Sequence, residues 1–142
     1  MTENKSGMFI PEPSWLTQPF WDNANKGVLT RQKCKNCGFE FFPPQFACRQ
    51  CLGTELTWVP SKGRGRIYSF SVLHMAPDGR PLVNPTILAD VDLDEGWHMM
   101  TNIEDCPVEQ LECDMEVSLK WRRLSDLINL PVFSPVNKRT AS

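Results

Sequence analysis

Downstream of residue 55, side chains suited to a core recur at every second position. The runs are Leu56 and Trp58; Tyr68, Phe70 and Val72; Ile87, Ala89, Val91 and Leu93; Trp97, Met99, Thr101 and Ile103; and Met115, Val117, Leu119 and Trp121. Successive side chains of a strand point to opposite faces, so this alternation predicts five strands with one face in a core. Asp94-Glu95-Gly96 predicts a tight hairpin between the third and fourth runs. Met75 to Pro85, rich in Pro, Gly and Asn, predicts a long loop, and Val108 to Leu111 a single helical turn. Leu130 to Val136 reads as a proline-marked edge segment or tail. Five strands with a short helical connection before the last clear one predict a mainly β chain closing as a small five-stranded Greek-key barrel of the OB type.

The pattern before residue 56 is different. Phe9, Ile10, Trp15, Leu16, Phe20 and Trp21 crowd an arm in which Pro19 suits a first helical turn and Gly27 a helix stop. This predicts a helix of about two turns, too short to be stable alone, so its aromatics must pack on the chain itself or on another protein. Trp15, Phe20 and Trp21 are the candidate partner contacts. Val28–Lys33 and Phe39–Phe42 are candidate short strands, with Phe39, Phe41, Phe42 and Phe46 as a small apolar floor.

Between and after these strands stand Cys34-Lys-Asn-Cys37-Gly38 and, nine residues on, Cys48-Arg-Gln-Cys51. Two Cys-x-x-Cys pairs present four thiolates to one ion, the tetrahedral all-sulfur set that structural zinc takes. Gly38 supplies the positive φ such a turn needs. Leu52 follows the second pair and the glycine comes one place later, at Gly53, which predicts a strained or shifted second turn. A closed four-sulfur shell leaves no coordination position for substrate, so one structural zinc per chain is expected, held by Cys34, Cys37, Cys48 and Cys51. Two disulfides and a redox dithiol are the alternatives to zinc. Arg31, Lys33, Lys35 and Arg49 are placed to offset the excess negative charge of the thiolates.

A metal-stapled unit divides the 142 residues into a helical arm (1–27), a zinc ribbon (28–55), a barrel domain (56–136) and a C-terminal tail (137–142). No apolar run approaches the roughly 18 residues of a membrane span, and Met1 to Gly7 is polar, so a cytoplasmic protein without a membrane association is expected. The net charge of −2 is the wrong balance for a chain that lives on nucleic acid.

Several features together resemble the DUF35 family: Pro19-Phe20-Trp21 in the arm; Leu29 ahead of Cys34, Cys37 and Gly38; Phe42-Pro43-Pro44 between the Cys pairs; Cys48 and Cys51; Gly63-Arg64-Gly65 before a strand; and Val91 to Gly96 in a hairpin. The resemblance covers nearly the whole length. It implies a rubredoxin-like zinc ribbon joined to an OB fold, acyl-CoA metabolism, and a non-catalytic subunit paired with a thiolase-superfamily enzyme. Leu52 and Cys113 stand where that pattern has glycine.

Catalytic equipment is sparse. His74 and His98 lie in no nucleophile or metal motif, and Cys106 and Cys113 have no adjacent base. No catalytic residue is assigned. The basic turn Ser61 to Arg66 sets Lys62, Arg64 and Arg66 beside glycines, a candidate contact for coenzyme A phosphates or simply a turn. The resulting expectation is a zinc-binding accessory subunit of an acyl-CoA thiolase or acyltransferase complex, making or breaking carbon–carbon bonds on a CoA thioester, for example a β-ketothiolase of aromatic-acid degradation. A single-stranded nucleic-acid-binding zinc-ribbon OB module is the alternative, disfavoured by charge.

Overall fold

The computed structural model describes residues 2–3 and 9–136; the tail expected over 137–142 lies outside the described residues. Two compact units divide the chain, Met1–Lys62 with Trp121–Pro131, and Gly63–Lys120 with Val132–Ser142.

In the first unit, strands β1 (Thr2–Glu3) and β2 (Phe9–Ile10) pair antiparallel ahead of helix α1 (Gln18–Asn25). Ser14 and Thr17 start the helix reciprocally: the Ser14 N–H donates to Thr17 Oγ1 at 2.9 Å and the Thr17 N–H to Ser14 Oγ at 3.2 Å. Pro19 occupies the first turn, where its missing N–H costs nothing. Gly27, at φ 79°, ends the element. Phe20, Trp21 and Ala24 form the buried face. Strands β3 (Thr30–Cys34), β4 (Glu40–Phe41) and β5 (Leu56–Pro60) make a three-stranded sheet in the order β4-β3-β5. Leu56–Pro60 therefore belongs to the ribbon sheet and not to the barrel, because its residues pair one for one with Thr30–Cys34. Arg31 is buried and joins all three strands, its guanidinium donating to Glu40 and to the Pro60 carbonyl.

The five-stranded sheet runs β10-β9-β6-β7-β8, with β6 Arg64–Met75, β7 Pro81–Leu93, β8 His98–Asn102, β9 Glu116–Arg123 and β10 Asn129–Pro135. The proline-marked segment near 130–136 is thus the fifth strand. A 3-10 turn at Val108–Gln110 precedes β9. Ile67, Val91, Val117, Val132 and Phe133 are fully buried. Val91 and Val117 lie on the alternating face that the sequence pattern marks, but in β6 Ile67 takes the inward place expected of Tyr68, which the bulge between Ile67 and Ser69 leaves exposed. Gly65 is required by close approach: a Cβ there would stand 2.4 Å from the Asp92 carbonyl oxygen.

The long loop expected over Met75–Pro85 is largely strand. β6 and β7 stay paired to Met75↔Pro81, and only Ala76–Arg80 turns, closed by the Ala76 N–H on the Arg80 carbonyl and by Gly79 at φ 88°. β8 pairs only with Leu88–Asp92, so Pro81 and Pro85 lie where no third strand meets their missing N–H. No helix among the described residues is long and apolar enough to cross a membrane.

Candidate metal centre

β3 delivers Cys34 to the first turn, and the Gly38 N–H returns to the Cys34 carbonyl at 2.8 Å. The second turn repeats this geometry, with the Leu52 N–H on the Cys48 carbonyl at 2.8 Å. In each, the residue after the second cysteine has positive φ: Gly38 at 79° and Leu52 at 66°. The strain expected in the second turn therefore falls on Leu52 itself, because a leucine holds the left-handed conformation that glycine takes freely. Gly53 is needed for another reason. Its N–H donates to Cys51 Sγ at 3.4 Å, and a Cβ on it would meet that sulfur at 3.3 Å.

The four sulfurs converge. Cys34 and Cys51 Sγ are 3.5 Å apart, Cys37 and Cys48 Sγ 3.6 Å, and all four lie within 4.8 Å of one another. Four sulfurs at Zn–S bond length on a tetrahedron stand about 3.8 Å apart, so the set fits one such ion. The spacing also leaves the four cysteines as free thiols in place of disulfides. Cys34 and Cys48 are buried with Phe41, and Phe39, Cys51 and Leu56 pack around them.

Electrostatics favour anionic sulfur at selected positions. The Asn36 amide first, then the Gly53 N–H and the Cys34 thiol, hold the Cys51 thiol down at about 6. The Phe39 backbone hydrogen bond acts the same way on Cys37 but is outweighed by lost hydration and by the neighbouring thiols, which push Cys37 up to about 12. Thiols this close cannot all ionise without a cation among them, which is what a dication supplies. Asn36 escaped the sequence reading; an amide inside a Cys-x-x-Cys turn is the signal that marks it. Arg31, expected to offset the thiolates, is instead committed to Glu40 and the Pro60 carbonyl. Lys33, Lys35 and Arg49 remain exposed, Arg49 lying 5.4 Å over the Phe39 ring. Phe46, expected in the apolar floor, faces outward at 69% exposure.

The other sequence candidates are not gathered with the sulfurs. Phe20 and Trp21, expected to dock a partner, are buried in their own unit, Phe20 standing edge-on to Trp21 at 5.0 Å and tilted on Phe42 at 5.4 Å. The reason is the helix face: Phe20, Trp21 and Ala24 share one side of α1. Trp15 is 81% exposed. In the basic turn, the Arg66 guanidinium donates to the Asp114 carbonyl and to Glu116, both at 3.0 Å. Gly63, at φ 70°, and Gly65 are explained by backbone conformation and by close packing. Lys62 and Arg64 are exposed. A cleft of about 650 Å³ beside Arg66 is lined by Asp105, Glu112, Asp114 and Glu116, a poor receptor for phosphate.

Cys106 carries the opposite of a nucleophile's environment, since burial pushes its thiol up and its partner is the Pro107 carbonyl. His98 lies on the outer sheet face between Asp90 and Asp92, with Tyr68 edge-on at 5.4 Å. That aromatic face carries acid where a single-strand-binding groove carries base.

In comparison with known proteins, two family models match adjoining stretches of the chain that meet within β5. Residues 21–57 match the family model described as the ChsH2 rubredoxin-like zinc ribbon domain, and residues 58–122 the ChsH2 C-terminal OB-fold domain. A DUF35 domain-containing scaffold protein of Methanocaldococcus jannaschii is 34% identical over 95 residues, 66% of this chain and 67% of that protein. The benzoylsuccinyl-CoA thiolase subunit BbsA of Geobacter metallireducens is 36% identical over 116 residues, 80% of this chain and 75% of that protein. Among solved structures, the Ltp2-ChsH2(DUF35) aldolase superposes with a TM-score of 0.79 at 28% identity, covering 89% of this chain and 98% of that one.

Proposed function

Because the chain belongs to the DUF35 family, we propose that it is a non-catalytic, zinc-binding subunit of an acyl-CoA thiolase or acyltransferase complex. In that complex a thiolase-superfamily enzyme makes or breaks a carbon–carbon bond on a CoA thioester, and this chain supports assembly. The observation that carries the reading is the match over 80% of the chain to a protein named as a thiolase subunit. The site agrees with it: the one cluster of cysteines among the described residues is a closed sulfur shell suited to holding structure, and the Cys106 thiol is raised in place of activated.

One zinc per chain, held by Cys34, Cys37, Cys48 and Cys51, is part of the proposal, as are a cytoplasmic location and a division into arm, ribbon and barrel in which the arm ends at residue 27, the barrel at 136, and the ribbon, expected to end at 55, extends through β5 to Pro60. Trp15 is the arm aromatic left on the surface to meet the enzyme. For coenzyme A, Lys62 and Arg64 are the exposed members of the basic turn, meeting phosphates in a pocket completed by the partner. Co-expression with a thiolase-superfamily subunit from the same genome tests assembly. A stable complex of defined stoichiometry in size-exclusion chromatography with light scattering is expected; two independently eluting proteins would overturn the reading.

A further inference from the structure

The two turns that hold the sulfurs have the same backbone and different residues at the same place. Gly38 takes positive φ in the first with nothing within 4 Å of where a Cβ would stand. Leu52 takes it in the second, with a side chain 76% exposed. A leucine there is doubly unfavourable for the isolated chain: its Cβ crowds the backbone, and its apolar side chain stays in water. Neither the sulfur cluster nor the ribbon core uses that side chain, and residues kept against their own conformational preference cluster at functional surfaces.

The surroundings of Leu52 indicate what it meets. Arg49 lies in the same turn, which the Leu52 N–H closes on the Cys48 carbonyl. Lys35 is held against the same segment by its N–H on the Glu55 carbonyl at 2.8 Å, and its neighbour Asn36 donates to Cys51 Sγ at 3.5 Å. Lys35 and Arg49 are both exposed, with Glu55 as the nearby acid. An exposed apolar residue on a segment that also presents two exposed cations, Arg49 in its own turn and Lys35 on the backbone bonded to it, complements an apolar pocket with carboxylates at its rim.

Resting on the function proposed above, we infer that the second zinc turn is a docking element, with Leu52 entering an apolar, acid-rimmed pocket of the thiolase-superfamily subunit and Lys35 and Arg49 pairing with that rim. The test uses full-length Leu52→Gly and Leu52→Asn, both of which accept positive φ, and the double variant Lys35→Glu with Arg49→Glu. Each is titrated against the co-expressed enzyme subunit, beside zinc content and melting temperature. Either Leu52 variant keeps its zinc and melts no lower than the wild type, yet binds the enzyme about tenfold more weakly, as for loss of an interface anchor. The charge-reversed variant also weakens binding, by a factor that shrinks as salt rises. An unchanged Kd in the Leu52 variants, with the wild-type complex intact, overturns the docking role and leaves the proposed function standing. Zinc loss or a lower melting temperature in both variants overturns it too, by making Leu52 structural. Binding of a single-stranded oligonucleotide that charge reversal abolishes would assign the surface to nucleic acid instead. A wild-type chain that forms no complex removes the proposed function and this inference together.

Discussion

The apolar cluster around the ribbon's sulfurs is small, with Cys34, Phe41 and Cys48 as its buried members, whereas the five-stranded sheet fully buries Ile67, Val91, Val117, Val132 and Phe133. A sheet that buries that much apolar side chain is held by removal of area from water, at about 25 cal/mol per Å². The ribbon has too little such area, and a metal–sulfur cross-link takes its place. One chain therefore contains two different answers to the same conformational entropy. Each should fail in its own way.

The largest effect is expected from breaking the sulfur set. Cys34→Ser with Cys48→Ser, or strong chelation, removes zinc and unfolds the ribbon, a loss on the order of 10 kcal/mol in metal-coupled folding. Acidification works in the same direction, because each ligand must be deprotonated to bind and the stabilisation present at neutral pH is lost as pH falls. Elemental analysis and NMR of the wild type and variant check both statements, with signals of the Ile67–Val91 region expected to persist.

Phe133→Ala is the counterpart in the sheet. Emptying a fully buried aromatic position costs about 3–5 kcal/mol, read by urea unfolding, and zinc content stays at the wild-type value. Replacing Cys106 or Cys113 by Ser leaves zinc content unchanged and shifts stability little, since neither sulfur belongs to the cluster. A drop in zinc in either variant would extend the metal set beyond the four paired cysteines.

These two regions were legible in the sequence to different degrees, for physical reasons. Period-two alternation reports burial face by face, so Val91, Val117 and their neighbours were readable as core, and the Cys-x-x-Cys pairs announce their own geometry. Strand partnership was not readable: Leu56–Pro60 alternates as well as any barrel strand, and only its register with Thr30–Cys34 assigns it to the ribbon. The hairpin beyond Val72 was hidden because prolines and Asn84 signal a loop, while the turn itself needs only Asp78 and Gly79. For Phe20 and Trp21, composition marked apolar density but not its destination, which the shared face of α1 decides. The second zinc turn was foreseen as strained from Leu52 alone; that the strain sits at φ 66° with the side chain outward needed coordinates.

The smallest effect concerns the basic turn. Neutralising Lys62, Arg64 and Arg66 in the complex is expected to raise KM for a CoA substrate a few-fold, about the 1 kcal/mol of an exposed charge contact, while barely changing KM for a pantetheine analogue without the nucleotide. Equal changes for both would confine the turn to a structural role. Part of any common loss would come from Arg66, which already bonds Asp114 and Glu116.

The central claim, that this chain serves a catalyst without being one, is tested most directly by steady-state turnover of a 3-oxoacyl-CoA ester in three samples: this chain alone, the thiolase-superfamily subunit alone, and the two together. Turnover confined to the mixed sample, rising with added chain to a fixed stoichiometry and lost when the zinc is stripped, is the predicted result; turnover by this chain alone would contradict the account.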